Sequence, residues 1–226
     1  MGLGRLILRC LPTPTNRLCR RAMHFAERTL GDGTIHQIER IPGCLSREQG
    51  ALLCYLADQS PETGCIVEIG SFMGRSTLWL AGSVKRSRRH KLYSIDPHEG
   101  HERPDIETGV DSYKAFLANI RDAGVADLVT VLRAKSQAVA GAWSEPIGLL
   151  WIDGSHAYED VLADLEGFAR HVVPGGFVTL HDTRGHRFPG VRRAMFEYFA
   201  RHAEFTPIAR LRNMSIHQRT GGGAIS

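Results

Sequence analysis

Five short apolar runs, alternating with segments of helical periodicity, restrict this chain to very few architectures. The runs are CIVEI at 65–69, KLYSID at 91–96, LVTVL at 128–132, GLLWID at 148–153 and GFVTLHD at 176–182. Largely apolar stretches of this length suit strands covered on both faces. RSTLWLAGSV at 75–84 gathers Leu78, Leu80 and Ala81 on one side of a helix, and DSYKAFLANIRDAG at 111–124 does the same with Tyr113, Phe116, Leu117 and Ile120. AYEDVLADLEGFARHV at 157–172 repeats the spacing with Val161, Leu162, Leu165 and Phe168. Such alternation predicts parallel pairing, right-handed crossovers and a layered α/β fold. The fifth strand is expected to follow a Pro174-Gly175-Gly176 turn. FTPIAR at 205–210 and RNMSIHQR at 212–219 leave no room for a crossover helix, so they are read as a closing antiparallel pair on one sheet edge.

Residues 1–60 stand outside this alternation. They read as helices punctuated by Pro12, Pro14 and Pro42, with REQGALLCYLADQS at 47–60 the clearest. The expected division is therefore a helical extension at 1–60, one α/β domain at 61–220 and a flexible glycine tail, GGGAIS, at 221–226. The extension would cover a sheet edge, form a lid or make a contact between two copies of the chain. At 226 residues and 42% hydrophobic, the chain suffices for one substantial core.

Charge and cysteine usage narrow the function classes. Twenty-eight basic against 24 acidic residues leave +4, too small an imbalance for a chain that tracks phosphates, so no nucleic-acid partner is expected. The densest basic cluster, VKRSRRHK at 84–91, is read as a solvated loop before the second strand. Cys10, Cys19, Cys44, Cys54 and Cys65 form neither a CxxC pair nor an even set, which fits a reducing compartment and a cytoplasmic location. The N-terminal LGRLILRCL is broken by Arg5 and Arg9 and is too short to span a bilayer. It is read as an amphipathic helix in preference to an organellar presequence.

The first strand leads into a ligand question. In CIVEIGSFMGRST, Glu68 interrupts an apolar run at its end, and Gly70 and Gly74 bracket the turn before a helix. In open α/β sheets ligands sit beyond the carboxyl ends of strands. A dinucleotide would need glycine where Phe72 stands, and a P-loop would need a lysine that the segment lacks. The turn suits a ligand without a pyrophosphate but with a ribose, which Asp96, ending the second strand, is positioned to bind through its hydroxyls. Asp96 also qualifies as a turn former before Pro97.

VEIGSFMGRST, YSIDP, WIDGSHAYEDVLADL and GGFVTLHDT, in this order and spacing, resemble class I S-adenosylmethionine-dependent methyltransferases. More narrowly they resemble the branch with macrocin-type sugar O-methyltransferases and cephalosporin-hydroxylase-like proteins, over roughly residues 62–200. The resemblance implies a Rossmann-like doubly wound sheet, mostly parallel with an antiparallel C-terminal strand, in the order 3-2-1-4-5-7-6. It implies S-adenosyl-L-methionine as cofactor, with Glu68, Gly70, Ser71, Gly74 and Ser76 around its methionine part, Asp96 and Asp153 beside it, and Ser136 at the adenine edge. Phe72 and Met73 stand where many methyltransferases have a third glycine.

A second constellation lies at adjacent strand ends. Asp153 closes the fourth strand and Asp182 the fifth, and neighbouring strands lie about 4.8 Å apart, so both carboxylates can converge on one hard cation. The resembled branch often binds a divalent metal here, which names Asp153, His181 and Asp182 as ligands, with Thr183 an alternative to His181. Magnesium leads, with manganese or a more borderline metal admitted by the imidazole. Asp153 and His156 are the candidate proton acceptors, His156 being equally placed to start a helix. Trp79 and Trp151 are read as core, and His186 as part of a mobile loop. The function implied is metal-assisted O-methylation of a small-molecule hydroxyl, on a sugar, polyketide or phenolic acceptor, with no membrane partner. A hydroxylase on the same scaffold and a non-catalytic relative are the alternatives. Acceptor choice is assigned to the N-terminal helices and to the loop at 98–111.

Overall fold

A computed structural model describes residues 16–88, 91–100 and 111–221. The N-terminal LGRLILRCL segment, most of the loop at 98–111 and the GGGAIS tail after Gly221 lie outside the described residues. Among the described residues three helices come first: α1 (Asn16–Leu30), α2 (Asp32–Arg40) and α3 (Arg47–Gln59). The alternation then runs β1 (Cys65–Ile69), α4 (Arg75–Ser87), β2 (Leu92–Ile95), α5 (Ser112–Asp122), β3 (Val129–Leu132), α6 (Ser136–Ala140), β4 (Ile147–Ile152), α7 (Tyr158–Phe168), β5 (Val172–Leu180) and α8 (Pro189–Arg201). The chain closes with β6 (Phe205–Leu211) and β7 (Met214–Arg219).

The seven strands form one sheet in the order β3-β2-β1-β4-β5-β7-β6. β1 pairs in parallel with β2 and β4, β2 with β3, and β4 with β5, while β7 runs antiparallel to both β5 and β6. Because β2 and β4 flank β1, the order reverses beside β1, and the crevice above its carboxyl end is open for a ligand.

Alternate residues of each strand feed two apolar layers. Ile66, Leu92, Leu149, Trp151 and Ile216 face α3, α4 and α5, with Trp79 at 0% exposure in that layer. Val67, Leu150, Ile152, Val178 and Leu180 face α7 and α8. The segment before β1 is integral to the first layer, since Ile35, Leu52, Leu53 and Leu56 belong to it. α3 is seated closely: a Cβ on Gly50 would lie 2.2 Å from Nε1 of Trp79. A capping box at Ser46 and Gln49 starts that helix.

Two sequence expectations shift. Pro174, Gly175 and Gly176 do not precede β5 but lie within it. Gly175 at φ +84 and a register shift opposite Ile147/Leu149 let the strand absorb them as an irregularity, and Gly176 approaches the Gly148 carbonyl too closely for a side chain. Lys85, Arg86 and Ser87 of the basic cluster continue α4 instead of forming a loop. Arg86 is anchored there by Asp58 at 2.5 Å and by the Phe25 ring. Cys19, Cys54 and Cys65 are free thiols, and no helix among the described residues is long and apolar enough to cross a membrane.

Candidate active site

β1 ends at Ile69, and the chain turns through Gly70 at φ +86 and Gly74 at φ +91. A Cβ on Gly70 would lie 2.3 Å from the Asp153 carbonyl oxygen, so only glycine brings the turn against the end of β4. Phe72 sits at φ 47, a costly conformation for a bulky residue. Asp96 holds it. Its Oδ2 accepts from the N–H groups of Ser71 and Phe72, both at 2.8 Å, and its Oδ1 from the N–H of His98 at 2.7 Å. A carboxylate offers about four lone-pair positions, so roughly one remains toward the cavity that Asp96 lines.

Glu68 is fully buried behind the turn and does not reach the cavity. Its two oxygens accept from Ser76 Oγ and Thr77 Oγ1, each at 2.5 Å, pinning the first turn of α4 to β1. Burial pushes its carboxyl up to about 7, against the pull of those two hydrogen bonds. Gly74, the N-cap of α4, likewise stands off the wall, while Gly70, Ser71 and Ser76 form part of it. The Ser71 hydroxyl is buried with no hydrogen-bond partner. An unpaired buried hydroxyl is costly, and Ser71 lines the cavity.

The other end is built by β4 and β5. Asp153, His181 and Asp182 each offer one ligand atom, all within 4.8 Å of one another. His181 Nδ1 lies 3.3 Å from Asp153 Oδ1 and 3.3 Å from Asp182 Oδ2, as an ion pair without hydrogen-bond alignment to either. Burial by itself would keep this imidazole neutral, but the charge of Asp153, joined by Asp182, outweighs it and raises His181 to about 10. For Asp182 burial works against ionisation, yet His156, His181 and Asn213 hold its carboxyl far below the usual range. His181 as an imidazolium balances two carboxylates, and a divalent cation would replace that proton with a larger charge. The ligand types and their convergence fit such an ion.

His156 Nε2 lies 3.1 Å from Asp182 Oδ2, and its ring stacks on Phe188 at 3.8 Å and 18°. Thr183 does not compete for the cation position, because its N–H and Oγ1 both donate to the Asn213 carbonyl. His186 lies exposed on the following loop. Ser136, expected at the adenine edge, donates its hydroxyl to Asp164 Oδ1. Asp164 is 2% exposed, lines the cavity and is raised to about 7 by burial. Neither Asp164 nor Phe188 is singled out by the sequence. Asp164 lies four residues after Asp160 within a helix, a spacing that reads as a solvated face, and the Phe188 stack joins segments with no shared periodicity.

A cavity of about 600 Å³ joins both ends. Gly70, Ser71 and Asp96 stand at one end, Asp153, His156 and Asp182 at the other, and Pro42 to Leu45, between α2 and α3, supply an outer wall. That volume falls within the range of about 300–1,000 Å³ usual for small-ligand sites.

Residues 67–183 match the model of a family described as a methyltransferase domain. Among solved structures, the fold is similar to that of the O-methyltransferase NovP, with 18% identity, a TM-score of 0.65, and coverage of 90% of this chain and 100% of the other. It is similar to TomG from Streptomyces achromogenes, an O-methyltransferase involved in tomaymycin synthesis and crystallised with S-adenosylmethionine, at 20% identity, TM-score 0.60 and coverage of 98% and 100%. CalS11, a TDP-rhamnose 3'-O-methyltransferase in calicheamicin biosynthesis, follows at 18% identity, TM-score 0.56 and coverage of 93% and 98%.

Proposed function

We infer that this chain, a methyltransferase through its membership of the methyltransferase-domain family, moves a methyl group from S-adenosylmethionine to a hydroxyl oxygen of a small molecule, aided by a divalent cation. One observation carries this: a single cavity reaches both the glycine turn with Asp96 and the group formed by Asp153, Asp182 and His156. Donor and acceptor need one shared space in which they can be aligned. The O-methyltransferases of like fold, one of them bound to S-adenosylmethionine, support oxygen as the acceptor atom and that donor.

Bound in this cavity, the donor supplies an electrophilic sulfonium methyl whose leaving group departs neutral, and the cation supplies a Lewis acid for the acceptor hydroxyl. The chain's own residues then have three tasks. Gly70 and Ser71 present backbone and an unused hydroxyl to the methionine end, Asp96 offers its remaining lone pair to the ribose, and Ser136 with Asp164 borders the adenine end. Asp153, His181 and Asp182 would hold the cation, and the nitrogen of His181 favours manganese over magnesium relative to an all-oxygen set. His156 is the proton acceptor: its Nε2 lies against Asp182 Oδ2, and the Phe188 stack fixes the ring.

Calorimetry with S-adenosylmethionine, followed by methyl transfer to a panel of sugar diols and phenols in Mn²⁺ or in EDTA, tests this. Micromolar binding weakened by Asp96→Ala, and product lost in chelator, are expected. Absence of binding would overturn the donor assignment. Oxygen consumption without methylated product would replace it with hydroxylation, and full turnover in EDTA would remove the cation alone.

A further inference from the structure

Asp182 engages its two oxygens differently. Oδ2 faces His156 at 3.1 Å and His181 at 3.3 Å. Oδ1 is turned away and accepts at 2.6 Å from Nδ2 of Asn213, in the tight connection between β6 and β7. Oδ1 of Asn213 in turn accepts from Gln49 Nε2 at 2.8 Å, and Gln49 Oε1 accepts from the N–H of Ser46 at 3.0 Å. Gln49 is 1% exposed and is not among the residues that line the cavity.

An amide side chain can be turned over at little cost, so its orientation needs a reason. Here both ends of the chain of bonds are of fixed sign. The backbone N–H of Ser46 can only donate, and an ionised Asp182 can only accept. Between such ends the two amides have one consistent arrangement, each accepting on the α3 side and donating toward Asp182. The connection is held from its other side as well, since the Asn213 carbonyl receives both the N–H and the hydroxyl of Thr183, the residue after Asp182. Asp182 itself is at φ 52, a conformation that needs such support.

We propose that Gln49 and Asn213 are positioning residues for the cation: a polarised relay, begun by the capping box of α3, engages Oδ1 of Asp182 and presents Oδ2 alone to the metal. This rests on the cation site inferred above. It gives the helical segment before β1 an indirect part in holding the cation, 164 positions from the turn that Gln49 contacts. Groups that orient a metal ligand change affinity by about 10–100-fold when removed.

The test is a Mn²⁺ titration of the unliganded protein, read by the electron paramagnetic resonance signal of free Mn²⁺, with melting in EDTA measured alongside. Asn213→Leu is expected to weaken Mn²⁺ about tenfold. Gln49→Met, of similar shape, reaches Asp182 through Asn213 and should weaken it about threefold, and the double variant should match Asn213→Leu alone. A merely structural role would make the two losses multiply, or would lower melting without touching affinity; either result overturns the relay, as does Asn213→Leu binding Mn²⁺ within twofold of the natural protein. Should Gln49→Met not fold, Asn213→Leu at its half-buried turn position still decides. If the natural protein binds no Mn²⁺, the cation site itself falls and the relay with it, an outcome distinct from a natural protein that binds Mn²⁺ alongside variants that bind it equally well.

Discussion

At the β1–β2 end of the cavity the carboxylates are already engaged by the protein: Glu68 by the Ser76 and Thr77 hydroxyls, Asp96 by three backbone N–H groups. At the β4–β5 end Asp153 and Asp182 meet two imidazoles in place of backbone. The first end is therefore a finished scaffold, in which a ligand finds leftover lone pairs, an unused hydroxyl and a backbone shape. The second is a set of charges whose balance depends on what occupies it. The proposed function divides recognition from chemistry along the same line, and Gly70, against the Asp153 carbonyl, is where the two ends touch.

Four perturbations probe that division. His156→Ala removes the proposed proton acceptor and should lower kcat about 1,000-fold, close to 4 kcal/mol, with donor affinity unchanged by calorimetry. A variant that loses donor binding instead would erase the contrast. Gly70→Ala attacks the joint: a strained φ and a contact of 2.3 Å should cost about 3 kcal/mol in urea denaturation and weaken both donor and Mn²⁺ binding.

Glu68→Gln addresses the scaffold end alone. The folded-state pKa of Glu68 lies above its ordinary value, so the native state holds a proton that the unfolded chain releases between pH 4.5 and about 7. Stability therefore falls as pH rises through that window and levels off above it. The Gln variant should lack this part of the slope, narrowing the difference in unfolding free energy between pH 5 and pH 8 by about 2 kcal/mol. An unchanged slope would show that Glu68 is not held as described. Ser71→Ala is the mildest: it removes a buried hydroxyl without a partner, so melting should stay level or rise slightly, while donor affinity drops about fivefold, near 1 kcal/mol.

The elements were legible because each depends on local patterning. The apolar runs ending at Ile69 and Ile152 and the spacing of Val161, Leu165 and Phe168 are enough to place strands and helices. Asp153 and Asp182 were legible for a related reason, since a residue at a strand end in a parallel sheet faces the crevice. What stayed hidden depends on partners far away in sequence. Nothing near Glu68 reveals that Ser76 and Thr77 close over it, and nothing near Asp96 reveals that its oxygens serve the turn at 71–72. The start of β5 was misplaced because Pro-Gly-Gly normally ends a strand, whereas here pairing of Val172 with Ile147 and of Phe177 with Leu149 brackets it on both sides, and Gln218 bonds the Gly175 carbonyl. Gln49 and Asn213 are unremarkable polar residues until the β6–β7 connection is folded against α3.

The seating of Gly50 on the Trp79 indole has a practical corollary. A chimera that borrowed only residues 61–220 would carry a large aromatic face stripped of its cover, and would forfeit one amide of the relay in the same cut. Recombination with related domains should accordingly cross over ahead of Asn16, so that the helical cover and the sheet travel as one inheritance.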